Sequence, residues 1–383
     1  MNMQKKILVL TDQMPWGHRS IARAIYNYLK KKEKEGDLKV EYAEVKAETG
    51  LAEDLYRFSY MVFPSTNRIS YKLMERPVLR EIVEEISITN LPRLKKLIKR
   101  FKPDIVISCY FYHSQSLVRW KKKEKVSFDL WTVVADPLSI NPISVMKGAE
   151  KHLVYDEKSM EIVKKLGARE EGIVKCGWWV RGEMYQKFER EMARKKLGIK
   201  DEKRPVVFVG GGSLGTAALG KILPALLLVQ KPVTMVFNTG KDKLGYAMVE
   251  EYNKLYRRIK KKGEVEIKNL GWIDNMAEVL AACDIVFGKA GPNFLFDCVA
   301  CGKPFVSITH IGGQEDGNIE IIHKKKLGWD KEKIGEAGKF LIKYLENPEK
   351  YNKIYRKNIL LEAKKNEKSL ERVWQEVKNW EKE

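Results

Sequence analysis

A chain of 383 residues is too long for one ordinary hydrophobic core and suits about two α/β domains. Hydrophobic residues make up 44% and charged ones 32%, with 13 prolines and no low-complexity tract, which excludes general disorder. Lys and Arg total 72 against 51 acids, a formal charge of +21 that attracts polyanions, phosphorylated ligands or anionic surfaces, although mixed runs such as residues 30–34, 121–125 and 257–262 also read as solvated faces.

The first apolar run, residues 5–10, is a buried strand, and Ile21, Ile25, Tyr28 and Leu29 recur behind it at helical spacing. The N-terminus runs straight into that strand and lacks the long apolar region of a signal peptide, so cytoplasmic residence is expected. Further strands are predicted at residues 40–45, 104–108, 130–134 and 152–154, with a long amphipathic stretch at 51–98. The pattern restarts with a strand at 204–209, a glycine-rich turn at 210–215 and a helix at 216–228 that contains Pro224. Strands at 233–237, 265–267, 285–287 and 305–308 follow, and residues 331–383 predict two or three helices. Strands interleaved with helices imply parallel, doubly wound sheets. The expected division is an N-terminal domain 1–176, a second domain 177–360, and a terminal helix 361–383 that packs back on the first.

The longest uncharged apolar stretch near the middle, residues 222–229, is far short of the roughly 20 needed to span a bilayer. Five cysteines, an odd number, form no disulfide framework, and the Cys298/Cys301 pair reads as buried packing in preference to zinc.

Residues 210–215 (GGGSLG) satisfy GxGxxG between a strand and a helix, where backbone N–H groups can approach a phosphate; a tight turn without ligand is the alternative. The next strand ends in Asn238, Thr239 and Gly240, not in the acid that holds the ribose of NAD, which disfavours a nicotinamide dehydrogenase. A second small-residue turn, residues 289–293, follows another strand and is trailed by Asp297, which either accepts hydrogen bonds from vicinal hydroxyls or only complements a helix terminus. Residues 312–318 pack Gln314, Glu315, Asp316 and Asn318 into a glycine-bracketed loop able to sort sugar hydroxyls or simply to turn in solvent. His18 ends the first loop, as a neutral base or as an ordinary exposed imidazole. Asp136 and Pro137 close another strand of the first domain.

Together these motifs resemble glycosyltransferase family 28, within it the branch of monogalactosyldiacylglycerol synthases and processive diacylglycerol glycosyltransferases. Residues 16–22 are similar to its first loop, with Pro15 and Trp16 where the family has glycines, and 103–108, 135–137, 141–142 and 177–181 to its later N-terminal motifs. Residues 271–276, 281–284, 289–292, 302–304 and 313–318 then appear in family order. The resemblance implies an α/β GT-B fold: two facing Rossmann-like domains with parallel doubly wound sheets and a C-terminal helical segment. It implies a UDP-sugar donor, with the backbone around Trp272 and Ile273 at uracil and Gly240 and Met276 also among the donor-binding residues. Gly211, Gly212, Ser213, Gly291, Pro292, Asn293 and Phe294 fall at the diphosphate, Asp297 at the ribose, and Gln314, Glu315 and Asn318 at the hexose. His18 matches the base, with Asp136 as a second catalytic candidate.

No Asp-x-Asp occurs, which agrees with the metal-independent chemistry the resemblance implies, and no cofactor beyond the donor is expected. The expected partners are a diacylglycerol-type lipid acceptor and an anionic membrane surface, not nucleic acid, at the inner face of the cell membrane. Arg57, Arg68, Lys72, Arg76 and Arg80 would face headgroups there. The alternatives are transfer of N-acetylglucosamine to a polyprenyl-linked peptidoglycan precursor, UDP-sugar 2-epimerisation, and a nucleotide-sugar-binding module without catalysis. Sugar, processivity and oligomeric state are not legible.

Overall fold

The computed structural model describes residues 4–14, 17–35, 38–46, 64–73, 76, 88–210, 216–260 and 264–381. The chain divides into two compact units. The first comprises Met1–Gly182, Ile311–Gly317 and Lys365–Glu383; the second comprises Glu183–His310 and Asn318–Lys364.

Six strands form the sheet of the first unit: β1 (Lys5–Thr11), β2 (Leu38–Glu44), β3 (Ile105–Ser108), β4 (Asp129–Val133), β5 (Lys151–Val154) and β6 (Ile173–Lys175). They lie in the order β2-β1-β3-β4-β5-β6, and every pair is parallel. Strands buried on both faces need continuous apolar runs, and Ile7 to Leu10 and Ile105 to Ile107 supply them. One face packs Leu8, Leu10, Val106 and Leu130 against Leu94, Ile98, Leu117 and Trp120 of the helices Leu91–Phe101 and Phe111–Lys123. The terminal helix Ser369–Lys378 belongs to this unit: Lys5 Nζ donates to the carbonyls of Val377, Lys378 and Trp380, and Trp380 Nε1 donates to Asp129 at 2.7 Å.

The second unit repeats the plan with β7 (Val206–Gly210), β8 (Val233–Asn238), β9 (Val265–Asn269), β10 (Ile285–Lys289), β11 (Phe305–Thr309) and β12 (Gly328–Asp330). Their order, β12-β11-β10-β7-β8-β9, is again wholly parallel. Renumbered within the unit this is the 3-2-1-4-5-6 order, in which the chain reverses direction between β7 and β10 and leaves a crevice at their carboxyl ends. In the first unit the corresponding reversal lies between β1 and β3.

Doubly wound parallel sheets therefore stand as the sequence predicts, with three differences of detail. β6 and β12 were not foreseen; at three residues each they are too short for any periodicity to mark. The predicted helix at 216–228 is α-helical only over Thr216–Ile222 and tightens to a 3-10 helix over Leu223–Leu228, because Pro224 has no N–H for an i→i−4 bond. The tail holds four helices where two or three were expected: Glu336–Glu346, Pro348–Ile354, Arg356–Glu367 and Ser369–Lys378. Asn347 makes the first break, its side chain accepting from Lys350 N just before Pro348.

Candidate active site

In the first unit the polar groups gather at the carboxyl ends of β1, β3 and β4. His18 is the second residue of the helix Gly17–Lys32, not part of a loop, and is only 9% exposed, so the ordinary exposed imidazole is ruled out. Its Nδ1 lies 3.0 Å from Thr11 Oγ1, and the ring of Tyr110, just past β3, packs on it with centroids 4.6 Å apart. Burial pushes the imidazole down to about 3, with His113 and Arg19 nearby also disfavouring its protonated form, so it is neutral at physiological pH.

His113 is wholly buried beneath. Asn90 Nδ2 donates to its Nδ1 at 2.7 Å and its Nε2 donates to the Val45 carbonyl at 2.9 Å. Neither Thr11 nor His113 was singled out from sequence; the available signal was a polar residue closing an apolar strand, Thr11 after residues 7–10 and the aromatic-histidine run 110–113 after β3.

Asp136 stands in the loop after β4, where Gln314 Nε2 donates to its Oδ1 at 3.4 Å. Desolvation raises this carboxyl, the Gln314 contact lowers it, and neighbouring Glu315 raises it again, for a net rise to about 7. The structure thus places Gln314 and Glu315 beside Asp136, in the first unit. Their loop is fastened there by Gly317 N donating to Ser139 Oγ at 2.6 Å and by the Arg68–Asp316 ion pair at 2.9 Å. Glu315 is buried and spends Oε2 on the Ile311 N–H at 2.6 Å, which shapes the loop.

In the second unit, Gly210 and Gly288 face each other in register at the β7/β10 crevice. A Cβ on Gly288 would lie 2.6 Å from the Phe294 ring and 2.7 Å from the Gly210 carbonyl; one on Gly210 would lie 2.9 Å from Phe294. These glycines let Phe294 lie across the strand ends. Gly291 caps the helix Pro292–Ala300 and Pro292 opens it, so the first-turn N–H groups of Asn293 and Phe294 are presented at the end of β10, as an anion requires. Asp297, 8% exposed, stands in the second turn, past the reach of a helix-terminal charge effect. Asn318, 1% exposed, donates to the Ala290 carbonyl at 2.7 Å, tying the helix Asp316–Lys324 to the same turn.

Across β8, Asn238 explains why the NAD acid is missing. Its Nδ2 donates to the Gly271 carbonyl at 3.0 Å, the same carbonyl that accepts from Gly240 N at 3.0 Å. Gly240 (φ +59°) and Gly271 (φ +61°) both need the left-handed region. The loop so pinned carries Trp272, Ile273 and, at the start of the helix Met276–Ala282, Met276. The Trp272 side chain is 61% exposed, its Nε1 donates to Asp274 and Lys241 lies 4.8 Å over its ring. Gly211, Gly212 and Ser213 lie outside the described residues, as do Pro15 and Trp16.

Comparison with known proteins agrees with these motifs. The profile of the Monogalactosyldiacylglycerol (MGDG) synthase family matches residues 18–180, and that of the Glycosyltransferase family 28 C-terminal domain matches residues 206–370. The UDP-N-acetylglucosamine--N-acetylmuramyl-(pentapeptide) pyrophosphoryl-undecaprenol N-acetylglucosamine transferase of Clostridioides difficile is 29% identical over 246 residues, 62% of this chain but only 56% of that protein. A processive diacylglycerol beta-glucosyltransferase of Bacillus licheniformis is 21% identical over 323 residues, 83% of this chain and 81% of its own. The crystal structure of Anabaena HepE in complex with UDP shares the fold, with a TM-score of 0.57 over 98% of each chain at 14% identity. With two profiles matched in order over most of its length, the chain belongs to glycosyltransferase family 28 and is a UDP-sugar-dependent glycosyltransferase of the GT-B fold.

Proposed function

We propose that the protein moves a hexose, with inversion at the anomeric carbon, from a UDP-sugar to the hydroxyl of a diacylglycerol-type lipid at a membrane face. The observation that carries this reading is the match of residues 18–180 to the MGDG synthase profile, since that half holds His18 and Asp136. His18 takes the proton as the acceptor oxygen attacks the anomeric carbon, and Asp136 orients the acceptor by accepting a hydrogen bond. Departing UDP gains charge on its diphosphate, which the Gly291–Phe294 helix start stabilises with backbone N–H groups and its dipole. Asp297 holds the ribose hydroxyls, the 272–273 backbone with Gly240 and Met276 holds uracil, and Gly211, Gly212 and Ser213 add diphosphate contacts. Gln314, Glu315 and Asn318 sort the hexose hydroxyls.

None of the described helices is long and apolar enough to cross a membrane, and peripheral attachment is proposed instead. Lys72 and Arg76 are exposed cations suited to anionic headgroups, while Arg57 and Arg80 lie outside the described residues.

A second reading, transfer of N-acetylglucosamine to a polyprenyl-linked acceptor, draws on the Clostridioides difficile relative. Incubating the protein with UDP-glucose, UDP-galactose or UDP-N-acetylglucosamine and liposomes of diacylglycerol or polyprenyl acceptor, followed by mass spectrometry, separates the two. Hexosyl-diacylglycerol is the expected product. A product only on the polyprenyl acceptor would replace the first reading by the second, and no product with either would overturn both.

A further inference from the structure

We propose that Tyr71 and Arg68 are positioning residues for the transferred sugar: they hold the 312–317 loop so that Gln314 meets the hexose, and discrimination between donor sugars depends on them. This rests on the reading that Gln314 and Glu315 sort hexose hydroxyls. Both residues lie on the helix Pro64–Leu73, within the amphipathic stretch 51–98. Helix and loop belong to the same unit, the first.

Two of the loop's side chains are spent on its own shape. Glu315 Oε2 accepts from Ile311 N at 2.6 Å, and Asp316 Oδ1 accepts from Gly313 N at 3.0 Å. Gln314 instead reaches out of the loop, where its Nε2 donates to Asp136 Oδ1 at 3.4 Å. Where that amide stands is therefore decided by what fastens the loop from outside. On one side Arg68 pairs with Asp316 Oδ1 at 2.9 Å, the same oxygen that shapes the turn. On the other, Gly317 N donates to Ser139 Oγ at 2.6 Å. Tyr71 joins the two sides, because its hydroxyl donates to the Ser139 carbonyl and its own carbonyl accepts from Asn141 Nδ2 at 3.3 Å. The bracketing glycines serve these contacts: a Cβ on Gly313 would lie 2.7 Å from Tyr71 Cβ, and one on Gly317 would lie 2.6 Å from Ser139 N. Neither position admits a side chain while helix and strand-end loop press on it. A binding group must be held to within about 0.5 Å to be selective, and residues locked from behind by packing and hydrogen bonds supply that precision.

The test compares binding of UDP, UDP-glucose and UDP-galactose, by calorimetry, to the full-length parent, Tyr71→Phe, Arg68→Gln and Gln314→Ala. Phenylalanine removes only the hydroxyl and the Arg68 side chain is 55% exposed, so both variants should fold, which circular dichroism checks. UDP carries no hexose, and its Kd should not move in any of them. Affinity for the preferred UDP-hexose should fall about 2- to 10-fold in Tyr71→Phe and in Arg68→Gln, the weight of one hydrogen bond or ion pair. The gap between the glucose and galactose donors should narrow as well. Parent-like hexose affinity in both folded variants, while Gln314→Ala loses it, would overturn the proposal. An equal loss for UDP and UDP-hexose would also overturn it, since the variants would then act on the nucleotide site. No effect of Gln314→Ala would instead remove the hexose reading of the loop, and the roles of Tyr71 and Arg68 with it.

Discussion

At the scale of single residues, burial sets two titrating groups in opposite directions. His18 is pushed down to about 3 and Asp136 up to about 7, each chiefly by desolvation of its charged form. As pH falls from 8 to 5 the imidazole stays neutral, whereas the carboxyl gains its proton and loses the charge with which it accepts a hydrogen bond from the acceptor. The expected profile of kcat/KM therefore falls on the acid side of about pH 7, approaching tenfold per pH unit, and Asp136→Asn lowers the plateau and abolishes that limb. A parent profile flat to pH 5 would contradict the role given to Asp136. His18 could be picked from the sequence because it follows the first strand at a loop-helix junction, but its burial could not. The groups that enclose it, Tyr110 and His113, come from β3's far end and meet it only because β1 and β3 are neighbours in the sheet. Asn238 was legible as an absence, the missing NAD acid; its actual task, pinning the Gly271 carbonyl, needs coordinates.

At the scale of elements, the central strands and their order of appearance were readable, since β1, β3, β7 and β10 are buried on both faces and stand out as apolar runs, while the edge strands β2 and β9 alternate. β6 and β12 escaped because three residues carry no period, and the break at Pro224 shows a tertiary helix position tolerating a residue that local bonding cannot. The glycine pair at the β7/β10 crevice is an element-level requirement: β10 can sit beside β7 with Phe294 across both only while Gly288 has no side chain. Gly288→Ala should lower stability by about 1–3 kcal/mol, because the new methyl meets a backbone carbonyl and a ring closer than any relaxed packing allows. Urea unfolding followed by circular dichroism measures this. An unchanged midpoint would mean that Phe294 and the helix start have slack, which would weaken the preorganised anion site argued from them.

For the whole molecule, the repeat of one doubly wound plan was visible in the sequence, and the terminal helix was expected to pack back on the first domain, but the crossing of residues 311–317 was not foreseen. Those residues count with the first unit although they interrupt the second in sequence. That is a matter of contacts such as Gly317 with Ser139, which no local pattern announces. The central claim divides labour between the units, donor nucleotide in the second and proton acceptor in the first. It is tested most directly by comparing parent and His18→Ala in one experiment: UDP affinity by calorimetry, and acceptor-dependent UDP release with diacylglycerol liposomes. The account predicts an unchanged UDP Kd and a fall in release of about 10²–10⁴-fold. Equal release by the two proteins, or a matched loss of nucleotide binding in the variant, would contradict it.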